Sequence, residues 1–101
     1  MTASIFSRSA SASSTIQSLY NEGRLYEGIT QAKSFIADNG PAQSQYEIFL
    51  LAKGLFAADL YFEAKFWIAK TTANPLERIP LEEKINRKLV QITGLSLEEI
   101  E

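Results

Sequence analysis

The chain has 101 residues, of which 46% are hydrophobic and 22% charged, and its net charge is −2. This composition is typical of one small globular domain, and the dispersed basic residues argue against nucleic acid or an anionic membrane as the main ligand. Because the chain has no Cys and no His, disulfides, zinc fingers, thiol nucleophiles and histidine general bases are excluded.

The first 14 residues contain six Ser and one Arg, and no acidic residue precedes Glu22. We predict a flexible leader over residues 1–14. A mitochondrial targeting segment is the alternative, because such segments are rich in Ser and poor in acids, although they are usually also rich in Arg.

Apolar residues recur at helical spacing along the rest of the chain. This pattern predicts a short helix over residues 15–22, a second from Leu25 to the stop at Asn39-Gly40-Pro41, a third over 43–57, a fourth over 60–73 and a fifth from about Leu81 to Gly94. Residues 76–80 are predicted to be a connector. Ser96 and Glu99 have the spacing of a capping box, which predicts the start of a further helix.

Residues 46–75 form the densest apolar stretch and contain the only Trp. We predict two helices here that fold back on each other at Ala58-Asp59. An order of short helix, turn, helix and stop occurs twice, and Gly28 in the first unit corresponds to Ala64 in the second, 36 residues later. Such a period is typical of stacked helical hairpins.

The second unit resembles a tetratricopeptide repeat (TPR). On its first helix, Leu51-Ala52 matches the large-then-small pair of the repeat, and Leu55 matches the bulky residue one turn on. On its second helix, Tyr61 matches the aromatic residue that opens the helix, Ala64 the small residue where the helices cross, and Ile68 the large apolar residue after it. Ile48, Asp59 and Thr71 depart from the pattern, and the first unit matches less well. The segments LLAKGLFAADLYFEAKFWIAK and IPLEEKINRKLVQ look most like the N-terminal region of a TPR subunit of the anaphase-promoting complex, of the subunit-seven type.

The resemblance implies an all-α fold, a right-handed TPR-like array of about five helices over residues 15–94, with residues 95–101 as a tail or the start of a truncated helix. It also implies a scaffold role in a ubiquitin ligase of the cell cycle, in the cytoplasm or nucleus, with partner subunits and a possible homodimer. The alternatives are a small accessory subunit of another complex, for example a mitochondrial one, and a chaperone that guards one client.

Two apolar faces exceed what a single hairpin needs. The first, on the third helix, is opposite the predicted core residues and consists of Tyr46, Phe49, Lys53, Phe56 and Ala57. In a TPR stack this face would line the concave surface that binds partner peptides. The alternative is that the leader or the fifth helix covers it.

The second face lies on the fourth helix and consists of Phe62, Phe66, Ala69 and Ala73. A helix that is apolar on two sides is usually buried on both. The fifth helix is one candidate to cover this face, and a second copy or a neighbouring subunit is the other. We therefore predict partner-binding residues at Tyr46, Phe49, Lys53, Phe56, Phe62 and Phe66.

Catalysis is not predicted. The acidic clusters at Glu82-Glu83 and Glu98-Glu99 lie on polar helix faces, and nothing indicates the apolar surroundings that a catalytic carboxylate pair needs. No phosphate-binding loop is present, and the longest uncharged apolar run, residues 48–52, is far shorter than a membrane span. We predict no cofactor, no metal, no nucleic-acid ligand and no membrane span.

Overall fold

The computed structural model describes residues 5–101, with side chains described from residue 12 onward. The described residues form six α-helices, a 3-10 turn and no strand, so the prediction of an all-α protein is confirmed. The helices are α1 (Ile5–Asn21), α2 (Leu25–Asn39), α3 (Gln45–Ala57), α4 (Tyr61–Ile68), α5 (Pro75–Thr93) and α6 (Leu97–Ile100), with the 3-10 turn at Pro41–Gln43.

Each helix packs against the next along the chain, and α3 also contacts α1 and α5. Helix α3 is therefore the centre of the molecule, and its residues from Glu47 to Ala52 are all buried. The predicted core residues Leu51, Ala52, Leu55, Ala64 and Ile68 are each at most 2% exposed, which confirms the predicted core side of this hairpin.

Helix α1 begins ten residues earlier than predicted. Residues 5–14, which we predicted to be part of a flexible leader, are helical, and residues 1–4 lie outside the described part of the chain. Ile16 is 1% and Leu19 8% exposed, so the apolar side of α1 is held against the core.

Tyr20 of α1 is wedged between two glycines of the neighbouring helices. A Cβ atom added to Gly28 of α2 would overlap the Cε1 atom of Tyr20, and one added to Gly54 of α3 would overlap its hydroxyl oxygen. That hydroxyl donates a hydrogen bond to the Leu50 carbonyl oxygen at 2.7 Å. The two glycines thus let one aromatic ring fill the junction of three helices, because any residue with a Cβ atom at either position would leave no room for it.

Helix α4 ends at Ile68, five residues before the predicted end. The backbone tightens there, because the Lys70 N–H bonds to the Trp67 carbonyl oxygen three residues earlier. The Thr71 hydroxyl then donates to the Gln45 carbonyl oxygen of α3 at 2.6 Å. This bond turns the chain back toward the start of α3.

The prediction of a connector at residues 76–80 is wrong, because α5 begins at Pro75. Asn74 adopts a left-handed conformation (φ 51°), and Pro75 then occupies the first helical turn, where its missing N–H costs nothing. Pro80 lies inside the helix and removes one backbone hydrogen bond. Helix α5 continues past it since Ile85 and Leu89, both 0% exposed, are buried in the core.

The remaining turns follow the sequence pattern. Asp59, predicted at the tip of the α3–α4 hairpin, has φ 64°. Gly94 ends α5 with φ 73°. Ser96 and Glu99 form the predicted capping box at the start of α6, with each side chain bonded to the other residue's backbone N–H.

Candidate protein-binding surface

The predicted concave face on α3 is partly covered, because Phe49 is buried while Tyr46 and Ala57 are exposed. Phe49 is 1% exposed, so the prediction that it is available to a partner is wrong for this structure. Phe56 is half-buried against Tyr61, with ring centroids 5.5 Å apart. Tyr46 remains 38% exposed and stacks on Phe49 at a centroid distance of 6.0 Å.

Helices α1 and α5 contact this side of α3. Ser13 of α1 donates a hydrogen bond to the Glu47 carboxylate at 2.7 Å, and Glu47 itself is 2% exposed. On the other side, the Lys53 ammonium lies 3.8 Å from the Glu77 carboxylate of α5. Helices α1 and α5 therefore border this face, but Tyr46 and Ala57 remain exposed, so the predicted cover by the leader or the fifth helix is partial.

A shallow depression remains between α1 and α3. Ser13, Ser14, Gln17, Ser18 and Tyr46 line it. All five side chains are uncharged, and all except the Tyr46 ring are small or polar. They offer no set of converging charges that would select a ligand.

The second predicted face, on α4, is exposed. Phe62 is 61% and Phe66 57% exposed, and the four-residue spacing puts both rings on one side of the helix. Ala64 and Ile68, which are 0% and 2% exposed, occupy the opposite side and pack in the core. Helix α5 therefore does not cover Phe62 and Phe66.

Helix α4 contacts its neighbours with its other sides. Lys65 donates a hydrogen bond to the Asn86 side chain of α5 at 2.7 Å and lies 3.6 Å from the Glu101 carboxylate. Glu63 lies 3.7 Å from the Lys33 ammonium of α2. The burial of Ala64 and Ile68 sets the rotation of α4, and with it the outward direction of the two Phe rings.

Lys70 lies two residues beyond the end of α4, in the turn that follows the helix. Its ammonium lies 4.3 Å from the centroid of the Phe66 ring, a cation–π contact. The Phe66 ring also contacts Trp67 edge-on, with centroids 5.4 Å apart. We refer to Phe62, Phe66 and Lys70 as the aromatic α4 face.

A groove of about 450 Å³ separates α5 from α6. Its lining residues are Glu83, Asn86, Arg87, Val90, Gln91 and Leu97. The apolar side chains of Ile92 and Leu95 are 56% and 43% exposed in the same part of the chain. This region is a second apolar surface, but it has no large aromatic anchor.

The titratable groups with displaced pKa values each have a structural cause. Burial raises the pKa of the Tyr20 phenol well above its usual range. The bond from the Ser96 backbone N–H lowers the pKa of the Glu99 carboxyl, and the side-chain bond from Arg24 lowers that of Glu27. None of these groups lines the α1–α3 depression or the α5–α6 groove, and their shifts arise at helix junctions and caps.

Within the described residues, no three acidic, His or Cys side chains lie together as metal ligands would. In the same part of the chain, no helix combines the length and the apolar character that crossing a membrane requires.

No family model, curated protein or solved structure matches the chain. The resemblance to TPR proteins, and to a subunit of the anaphase-promoting complex in particular, therefore stays a prediction that rests on residues such as Leu51, Tyr61 and Ala64.

Proposed function

We propose that the protein is an interaction module that binds a helix of a partner protein through the aromatic α4 face. The observation that carries this proposal is the exposure of Phe62 and Phe66 on a helix whose opposite side is in the core. Aromatic residues are enriched among the anchors of protein interfaces, and neighbouring exposed rings on one helix are a common docking surface for a second helix.

Burying both rings supplies only part of the binding energy. A Phe side chain contributes about 1.5–3 kcal/mol when it is fully buried, and slightly more than half of each ring is available. The two rings together therefore contribute about 3 kcal/mol. Association costs at least ~4 kcal/mol in lost freedom of motion, so a stable complex needs further contacts around the rings.

A photo-reactive amino acid placed at Phe66 tests this proposal in extracts of the source cells. We expect cross-links to one partner from position 66, and the cross-linked peptide should lie in a helical segment of that partner. Leu76 on α5, which is 89% exposed, is the control position for accidental encounters.

Two results would contradict the proposal. One is the same set of cross-linked proteins from positions 66 and 76. The other is a purified cross-linked partner whose affinity is unchanged when Phe62 and Phe66 are replaced by Ala. The identity of a confirmed partner would also distinguish the three roles considered from the sequence, which are a ubiquitin ligase subunit, an accessory subunit of another complex and a chaperone with one client.

A further inference from the structure

Among the described residues, the cation on the aromatic α4 face has no carboxylate within ion-pair distance. The Lys70 ammonium rests on the Phe66 ring instead, 4.3 Å from its centroid. Two other lysines that border α4 are paired, Lys33 with Glu63 at 3.7 Å and Lys65 with Glu101 at 3.6 Å, whereas Lys88 lies over the Tyr61 ring.

The position of Lys70 sets a register. Phe62, Phe66 and Lys70 follow one another at intervals of four residues, and the Lys70 N–H still bonds to a carbonyl of the last helical turn. A four-residue step along a helix is about 6 Å, which is the spacing of Phe62 and Phe66 on α4. Lys70 lies in the turn after α4, with its ammonium 4.3 Å from the centroid of the Phe66 ring. The face therefore presents two apolar anchors and then a cation beside the second of them.

From this arrangement we propose that the partner segment is an amphipathic helix with two large apolar residues four apart and a carboxylate one turn further on, at the end that meets Lys70. The inference rests on the proposed function, since it describes the ligand of the same face. Docking a helix over Phe66 removes water from the adjacent ammonium, and a desolvated charge without a counter-charge opposes binding. A carboxylate at that place offsets this cost and selects among apolar helices.

A displayed library of helical peptides tests the proposal with the full chain. The library keeps two Leu residues four apart and varies the positions one turn before and one turn after them. Selection on the wild-type protein should enrich Asp or Glu at one of these two positions. Selection on Lys70→Glu should enrich Lys or Arg at the same position.

Affinities of synthetic peptides then give the size of the effect. We expect Lys70→Glu to weaken the acidic peptide about tenfold, and a Glu→Lys change in the peptide to restore most of that loss. Lys88→Glu is the matched control, since Lys88 also lies over an aromatic ring, 5.9 Å from the Tyr61 centroid, but on α5. It should leave the affinity within about twofold.

The outcomes separate this inference from the proposed function. If Phe62→Ala with Phe66→Ala abolishes peptide binding but no acidic preference appears, the inference is wrong and the binding face stands. If selected peptides bind the Phe variant as well as the wild type, both are wrong. Self-association in sedimentation equilibrium that the Phe variant abolishes would make a second copy the occupant, and preferential binding of the face to anionic vesicles would make it a membrane; either result overturns the inference.

Discussion

Replacing Gly54 by Ala tests whether Tyr20 organises the junction of α1, α2 and α3. The new Cβ would overlap the Tyr20 hydroxyl oxygen, and the ring cannot move aside toward α2 because Gly28 already lies against it. Moving the ring would also break the 2.7 Å hydrogen bond from its hydroxyl to the Leu50 carbonyl oxygen. The added methyl group therefore meets a side chain that is held on three sides.

Two opposing terms decide the magnitude. Overpacking a well-packed site costs about 1–3 kcal/mol, and the tight contacts here favour the upper end. Ala is better than Gly inside a helix by about 1 kcal/mol. We expect Gly54→Ala to lower the free energy of unfolding by about 2 kcal/mol.

The sign should reverse when the phenol is removed. In Tyr20→Leu the shorter side chain ends before the ring atoms that a Cβ at Gly54 would meet, which are Cε1, Cζ and the hydroxyl oxygen. Gly54→Ala should then raise the free energy of unfolding by about 1 kcal/mol. The coupling between the two sites is thus about 3 kcal/mol.

Urea unfolding of the wild type, both single variants and the double variant measures this coupling. Helical circular dichroism and the fluorescence of Trp67, the only Trp, provide two probes. With a slope of about 2 kcal/mol per molar urea, the wild-type midpoint should fall by about 1 M on Gly54→Ala. Stabilisation by Gly54→Ala in the wild type, or the same cost in both backgrounds, would refute the assignment.

Three further predictions follow from burial and from the displaced pKa values. Phe49→Ala should lower the free energy of unfolding by about 3–5 kcal/mol in urea denaturation, because its ring is 1% exposed. Phe62→Ala should change it by less than about 0.5 kcal/mol, because that ring is largely in solvent; equal costs for the two would contradict their assignment to core and surface. Since burial raises the pKa of Tyr20 above its unfolded value of about 10, the folded state keeps a proton that the unfolded state loses, and stability should decline above pH 10 by up to about 1.4 kcal/mol per pH unit. Tyr20→Phe should lose this component of the decline, and an unchanged alkaline profile would be evidence against burial as its cause. The hydrogen bond from the Ser96 N–H lowers the pKa of Glu99 in the folded state. The capped end of α6 is therefore stabilised at pH values above the pKa that Glu99 has in the unfolded chain. This stabilisation is lost as the pH falls through the pKa of Glu99 in the folded state. Titration by NMR should show the α6 amides shifting with Glu99, and Glu99→Gln should remove that transition while leaving α6 less well capped at pH 7; no shared transition would contradict the linkage.

Local rules predicted the parts of the fold that depend on neighbouring residues. The turn at Asp59, the end of α5 at Gly94 and the capping box at Ser96 all follow from the backbone preferences of a few residues. The core side of the α3–α4 hairpin followed from helical periodicity, because one buried stripe dominates the pattern.

Elements decided by tertiary contacts were missed. The start of α5 at Pro75 lies before the connector that we predicted over residues 76–80, because a Pro can end one helix or begin another with the same local preference. The early end of α4 depends on the bond from Thr71 to Gln45, 26 residues away. The sequence has a glycine inside each of two helices, at Gly28 and Gly54, which is consistent with a close contact. Only the fold shows that both glycines lie against the Tyr20 ring.

The candidate site was predicted in part. Periodicity found both apolar faces, but it cannot tell which of them another helix covers. Burial of Phe49 depends on how the helices around α3 pack, and exposure of Phe62 and Phe66 depends on the rotation of α4 that the burial of Ala64 and Ile68 sets. Lys70 was not predicted as part of the site, because its place over the Phe66 ring follows from the tightened end of α4.

The most direct test of the aromatic α4 face is the affinity of the purified cross-linked partner, measured by isothermal titration calorimetry. We expect Phe62→Ala with Phe66→Ala to weaken binding at least about thirtyfold, the equivalent of about 2 kcal/mol, while Leu76→Ala should change it less than twofold. Both variants should keep the helical circular dichroism of the wild type, since all three side chains are exposed. Equal affinities of the wild type and the Phe variant would contradict the proposal that this face binds the partner.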